Sequence, residues 1–207
     1  MRKIAVFPGW GYPNKFFKDI FVGYEIDIIK PEDKICRDYD LIVAWSMGAI
    51  DFCMRERINF KKVILVAPAE NFLLCSNKRV IERMKKALIL DKYILLLEFL
   101  KNNFFNNKVY EIFIERYKEE LKLLDEKELL DGLDFLINAQ MNKNNNLSDS
   151  IVILLGENDK IINNKISYEF ISKIKNSEVY KISDCGHNVM FEKKDEFLEI
   201  VGRYIDD

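Results

Sequence analysis

Three residue types along this chain, serine, histidine and aspartate, are spaced so that together they could do nucleophilic chemistry. The segment Leu41-Ile42-Val43-Ala44-Trp45-Ser46-Met47-Gly48-Ala49 runs from an apolar strand pattern straight into a serine, with glycine two positions on. Such a strand-to-helix turn is strained and projects the Ser46 hydroxyl from the sheet edge as a nucleophile. Gly48 is small enough for the following helix to pack close to the strand. Ala44 stands where the first glycine of G-x-S-x-G is usual, and the small-x-Ser-x-small pattern keeps the steric demand. The plainer reading of Ser46 alone is a helix N-cap.

A neutral hydroxyl is a weak nucleophile and needs a base, and the base needs an acid to orient it. His187, the one histidine among the 207 residues, lies in Ser183-Asp184-Cys185-Gly186-His187, past the last strand pattern. Asp159, in Leu155-Gly156-Glu157-Asn158-Asp159, directly follows the fifth strand pattern and is the best-placed acid, with Asp184 and Glu157 as nearby alternatives. A tetrahedral oxyanion requires two aimed N–H groups. The residue after the nucleophile, Met47, offers one. The turn Pro8-Gly9-Trp10-Gly11 after the first strand pattern offers the other, from Trp10. A single histidine excludes any site built on two imidazoles, such as a His-rich zinc centre. The constellation calls for no metal and no cofactor.

Positioning these residues demands an alternation of short strands and helices. Apolar, β-branched runs occur at Ile4–Phe7, Glu25–Ile29, Leu41–Ala44, Val63–Ala67, Ile151–Leu155 and Val179–Ile182. Helical patterns occupy roughly Asn14–Phe21, Gly48–Arg57, Asn164–Ile174 and Lys194–Ile205. Fully apolar short strands suit a parallel sheet covered on both faces, so the class is α/β with about six mostly parallel strands. Residues 70–143 carry no strand signal. There Ile81, Met84, Leu88 and Tyr110, Phe113, Ile114, Tyr117 follow helical spacing, and Asn142–Asn146 breaks the pattern. The expected organisation is a core of residues 1–69 and 144–207 with a helical cap, 70–143, between strands four and five.

Composition narrows the partners. With 32 basic and 34 acidic side chains the net charge is −2, which gives no electrostatic case for nucleic acid. Cys36, Cys53, Cys75 and Cys185 form no CxxC pair and read as reduced structural thiols. The N-terminal apolar run is too short for a signal peptide, and no stretch of 18 uncharged apolar residues occurs. The expectation is a cytoplasmic protein with no membrane span. Residues 78–118 hold ten Lys/Arg against five Asp/Glu, and residues 119–134 two against seven, either solvated helix faces or a docking face for an acidic partner.

Gly-Trp-Gly at residues 9–11, Ala-Trp-Ser-Met-Gly at 44–48, Gly-Glu-Asn-Asp at 156–159 and Cys-Gly-His-Asn at 185–188 occur in the order of the α/β-hydrolases, and almost the whole chain resembles that superfamily. Within it, the Gly-Trp-Gly and Trp-Ser-x-Gly elements resemble the pimeloyl-[acyl-carrier protein] methyl ester carboxylesterases of biotin synthesis. The stretch Leu130-Asp131-Gly132-Leu133-Asp134-Phe135-Leu136 looks like the end of that family's cap. The resemblance implies a triad of Ser46, Asp159 and His187, carbonyl binding by Trp10 and Met47, and an acyl-channel aromatic near Phe99. It also implies acyl-carrier protein as a partner. The cap arginines of that family do not align, since the matching stretch reads Leu95-Leu96-Leu97-Glu98; the upstream Lys78, Arg79, Arg83, Lys85 and Lys86 are the available substitutes. Pro8 also replaces the histidine that usually precedes the oxyanion glycine.

The expected fold is thus a trimmed α/β-hydrolase, short because the first strand already leads into the oxyanion turn. The expected function is serine carboxylesterase, with the methyl ester of pimeloyl-acyl-carrier protein as substrate. A generic short-chain carboxylesterase or thioesterase acting on a small acyl ester is the alternative enzyme. A non-catalytic binding protein of the same fold is the alternative from another class.

Overall fold

The structure, a computed structural model, describes residues 2–56, 58–141 and 151–206. Six strands form one sheet: β1 (Lys3–Phe7), β2 (Glu25–Ile28), β3 (Tyr39–Trp45), β4 (Phe60–Val66), β5 (Ile151–Gly156) and β6 (Ser177–Ile182). Their order is β2-β1-β3-β4-β5-β6, and every neighbouring pair is parallel. The expected "mostly parallel" sheet is therefore parallel throughout its described strands. The sequence explains the order of burial. Ile4–Phe7, Leu41–Trp45, Val63–Val66 and Ile151–Leu155 are apolar and buried, as central strands covered on both faces require. The edge strands β2 and β6 carry Asp27, Glu178 and Lys181 and are half-buried or exposed, save for Ile182.

Helices α1 (Asn14–Ile20) and α2 (Met47–Met54) follow β1 and β3. Between β4 and β5 the chain forms α3 (Lys78–Leu90), α4 (Lys92–Lys101), α5 (Asn107–Lys122) and α6 (Glu126–Asn138), with a 3-10 turn at Phe72–Leu74 ahead of them. Asn77, Asp91, Asn106 and Asp125 cap these four helices, each side chain accepting a backbone N–H of its helix's first turn. The expected break at Asn142–Asn146 and the boundary at 143/144 lie outside the described residues. Helices α7 (Asn164–Ile171), α8 (Val189–Glu192) and α9 (Lys194–Asp206) complete the chain. No described helix is long and apolar enough to cross a membrane.

The strand order reverses at β1: β2 lies on one side of it and β3 on the other. In open parallel sheets the loops beyond such a reversal diverge and leave a crevice at the carboxyl ends of the strands. Register pairs Phe7 with Ala44, so the turn after β1 and the turn after β3 emerge side by side. Gly48 makes that closeness possible. A Cβ on it would stand 2.2 Å from the Phe7 carbonyl oxygen and 2.7 Å from that of Pro8, both backbone atoms that cannot swing away. We expect Gly48→Ala to force α2 off β1 and to cost about 1–3 kcal/mol of stability, the range for overpacking. Chemical denaturation tests this, and an unchanged midpoint would refute it.

Candidate functional site

Ser46 sits between β3 and α2 with φ of 55° and ψ of −115°, in the left-handed region that a non-glycine residue seldom adopts. Neighbouring bonds hold it there. Its N–H donates to the Val66 carbonyl at 3.0 Å, and its own carbonyl accepts from Ala49 and Ile50 to start α2. Backbone strain of this kind costs of order 1–3 kcal/mol and persists only where the surroundings overdetermine it. The N-cap reading of Ser46 is not what the side chain does, for it makes no capping hydrogen bond.

His187 and Asp159 meet as a buried pair. Imidazole Nδ1 lies 2.7 Å from Asp159 Oδ2, with the two side chains only 2% and 1% exposed. The second carboxylate oxygen, Oδ1, accepts from the backbone N–H groups of Ile161 at 2.7 Å and Ile162 at 2.9 Å, which fixes the carboxylate plane. Toward an ionised carboxylate, which only accepts, a neutral imidazole presents Nδ1–H and leaves the Nε2 lone pair free. The other acids are elsewhere. Glu157 pairs with Lys181 at 3.0 Å, and that ammonium holds its carboxyl below the usual range. Asp184 is an exposed turn residue with φ of 51°.

Trp45, the residue before Ser46, links the elbow to the histidine. Its indole N–H donates to the His187 carbonyl at 3.2 Å, and the two rings lie 5.5 Å apart. Tyr12 packs on Trp45 at 4.5 Å, and its hydroxyl accepts a hydrogen bond from the buried Asn188 amide at 3.2 Å. Burial pushes the Tyr12 phenol well above its ordinary range, so it stays protonated. Sequence reasoning gave Trp45, Tyr12 and Asn188 no role of their own. Their signal was faint: a tryptophan, a tyrosine and an asparagine within two residues of site motifs, polar groups that need partners once buried.

Trp10 and Met47 face one cavity of about 510 Å³ beside the elbow. Among the described residues no partner takes the backbone N–H of either. The Trp10 side chain is anchored away from them, its indole N–H donating to the Leu129 carbonyl of α6 at 2.9 Å. Leu129, Phe135 and Ile28 give the cavity apolar walls, and Glu32, Glu120, Asp125, Glu128 and Asp131 with Lys15 and Lys30 supply its charge. Phe99 does not line this cavity. It packs edge-on against Trp10, at 4.8 Å and 85°, so it buttresses the turn instead. Phe135, from the cap stretch singled out in the sequence, lines the cavity along with Trp10 and Tyr12.

Of the basic side chains on α3, Lys85 is bonded to Asp134 at 2.5 Å, while Lys78, Arg79, Arg83 and Lys86 are exposed. The lysine nearest α6 is thus spent within the fold, because the helical spacing that faces it outward in isolation turns it toward α6 in the packed bundle.

The model of a family described as the alpha/beta hydrolase fold matches residues 42–194. Among solved structures the chain is similar to an esterase from Exiguobacterium antarcticum, at 14% identity over 100% of this chain and 92% of that one, with a TM-score of 0.77. It is similar to a bromoperoxidase from Bacillus anthracis at 18% identity, covering 100% and 92%, with a TM-score of 0.76. A carboxylesterase structure from the Thaumarchaeon Nitrososphaera gargenis matches at 11% identity over 99% and 90%, with a TM-score of 0.72. At these identities the likeness is one of fold. No curated protein matches the chain.

The Trp10 anchor yields a structural expectation. Trp10→Phe keeps an aromatic ring against Phe99 but removes the indole bond to the Leu129 carbonyl, which keeps its helical donor, a loss of about 0.5–1.5 kcal/mol. Urea unfolding of the two proteins checks it, and equal stabilities would refute it.

Proposed function

From a chain that belongs to the alpha/beta hydrolase fold family, we propose a serine carboxylesterase with Ser46 as nucleophile, His187 as general base and acid, and Asp159 as the orienting acid. Residues 70–143 are its cap and residues 1–69 with 144–207 its core. The observation that carries this reading is the buried 2.7 Å contact of His187 Nδ1 with Asp159, beside a serine in strained backbone at the end of β3. With Nδ1–H committed to Asp159, Nε2 is the atom that takes the Ser46 proton as Oγ attacks the ester carbonyl. The carbonyl oxygen becomes an oxyanion, stabilised by the unpaired N–H groups of Trp10 and Met47. His187 then returns the proton to the departing alkoxide, and the alcohol leaves an acyl group on Ser46. A water molecule, deprotonated by the same Nε2, attacks that acyl-enzyme, and Ser46 leaves as the restored hydroxyl with the acid as product. No hydrogen bond joins Ser46 Oγ to His187 among the described residues, and such catalytic contacts often tighten only when substrate is bound.

For the substrate we propose an ester of a medium-chain dicarboxylate on acyl-carrier protein, the methyl ester of the pimeloyl form. Support comes from the Gly-Trp-Gly and Trp-Ser-x-Gly elements, from a 510 Å³ cavity beside Trp10 and Met47, and from Lys78, Arg79, Arg83 and Lys86 exposed on α3 as a face for an acidic carrier. A generic short-chain carboxylesterase or thioesterase is the second reading. The carboxylates around the cavity favour it, because Glu32, Glu120, Asp125, Glu128 and Asp131 outnumber Lys15 and Lys30 and repel an acidic carrier.

Ser46→Ala should abolish hydrolysis of short acyl esters and labelling by a fluorophosphonate, with the fold retained by circular dichroism; undiminished turnover would sink the assignment. A parent protein that does not label would point to the non-catalytic binding protein. Asp159→Asn should lower kcat by roughly 10⁴, because the amide stabilises the wrong imidazole tautomer. Growth rescue of a biotin-requiring strain lacking the esterase step separates the two substrate readings, and failure by a probe-reactive protein selects the generic esterase.

A further inference from the structure

Glu192, the last residue of α8, has no part in the mechanism above, yet its carboxylate accepts three backbone hydrogen bonds. Oε2 accepts from Gly186, the residue before His187, at 2.6 Å. Oε1 accepts from Phe105 and from Asn106, each at 2.9 Å, in the connection between α4 and α5. On the other side of the histidine, the Asn188 N–H donates to the Asn103 carbonyl at 3.0 Å. The His187 carbonyl itself accepts from Trp45. The peptide groups around the imidazole are therefore tied in three directions, and two of the ties run to residues 103–106. Gly186 lets the two backbones touch: a Cβ there would stand 2.7 Å from the Asn103 oxygen and 2.8 Å from the Phe105 nitrogen.

We propose that Glu192 is a positioning residue that fixes His187 by clamping its loop to the α4–α5 connection. The inference rests on the reading of His187 as the base. Glu192 is the charged member of this set of ties, and hydrogen bonds to an ionised acceptor are roughly twice as strong as neutral ones. Asp159 sets the tilt of the imidazole ring, and Glu192 sets where the backbone carries that ring. Loss of the clamp leaves three N–H groups short of an acceptor and frees the segment from Cys185 to Asn188 to shift. Misplacement of about 1 Å is enough to cost up to about a hundredfold in rate. The clamp also couples the helical insertion to the base, because the connection it holds lies between the two helices whose side chains support Trp10 and Tyr12: Phe99 of α4 on Trp10 and Phe113 of α5 on Tyr12.

Two variants and two readouts decide it. Glu192→Gln keeps the size but turns an acceptor into an N–H₂ group facing N–H donors. Glu192→Asp keeps the charge and shortens the reach. With p-nitrophenyl acetate, Glu192→Gln should lower kcat about tenfold or more, with KM within about twofold. It should also shift or broaden the low-field proton resonance of His187 Nδ1–H, which a chain with one histidine shows without overlap. Glu192→Asp should recover part of kcat and move the resonance back toward the parent. Parental kcat with an unmoved resonance in Glu192→Gln would overturn the proposal, as would a fall in kcat with an unmoved resonance. Unfolding of both variants at the assay temperature would also overturn it, by assigning Glu192 to stability alone. Retained turnover in Ser46→Ala would instead remove the esterase reading, while the resonance, measured without substrate, still judges the clamp.

Discussion

A single backbone angle, φ of 55° at Ser46, is the constraint around which the carboxyl edge of the sheet is organised. The turn is tight enough to begin a helix one residue after a strand ends, and it aligns that helix's first N–H groups with the space beyond β1 and β3. Strain of this kind is tolerated only because its surroundings leave no alternative. The Ser46 N–H is committed to Val66 on one side. On the other, α2 is pressed against the Phe7 and Pro8 carbonyls so closely that glycine is required at residue 48. Strand pairing, helix contact and the strained turn are one arrangement.

The histidine lies on the loop after the edge strand β6, at the same carboxyl edge of the sheet, and is held differently. Ser46 is fixed by strand and helix geometry, whereas His187 lies on a loop, where position has to come from side chains. Asp159 supplies one anchor, fixed in turn by the N–H groups of Ile161 and Ile162. Trp45 supplies a second that leads back to the elbow. The polar groups involved are buried and have partners, which is the condition for a buried network to rigidify a site and not weaken it.

The helical insertion is joined to the sheet by contacts of two kinds. Lys15 with Glu120 and Lys30 with Glu128 are partly exposed ion pairs, each worth about 0–1 kcal/mol. The Trp10 bond to Leu129 and the Glu192 bonds to Phe105 and Asn106 reach from the insertion to the two loops of the candidate site. The ion pairs lend orientation around the cavity, and the buried Trp10 bond together with the Glu192 bonds couples the insertion to the candidate site. The insertion thus contacts both loops of the candidate site.

The sequence by itself determined the sheet and the elbow. Central strands are short apolar runs, and a serine between such a run and a glycine-spaced helix start is a local pattern that packing does not override. It also left His187 as the one imidazole available to any histidine chemistry. Only the tertiary structure decided which of three acids meets that histidine, because Glu157 and Asp159 follow β5 and Asp184 follows β6, yet Asp159 is the one that reaches His187 while Glu157 pairs with Lys181 and Asp184 sits in an exposed turn. It also decided that Phe99 supports Trp10 while Phe135 lines the cavity, that Lys85 turns inward to Asp134, and that Glu192 reaches both Gly186 and Phe105. The physical reason is the same in each case. Apart from Glu192 with Gly186, six positions away, these contacts join residues tens of positions apart, and their geometry depends on how helices pack on one another, which hydrophobic periodicity constrains to a face but not to a neighbour.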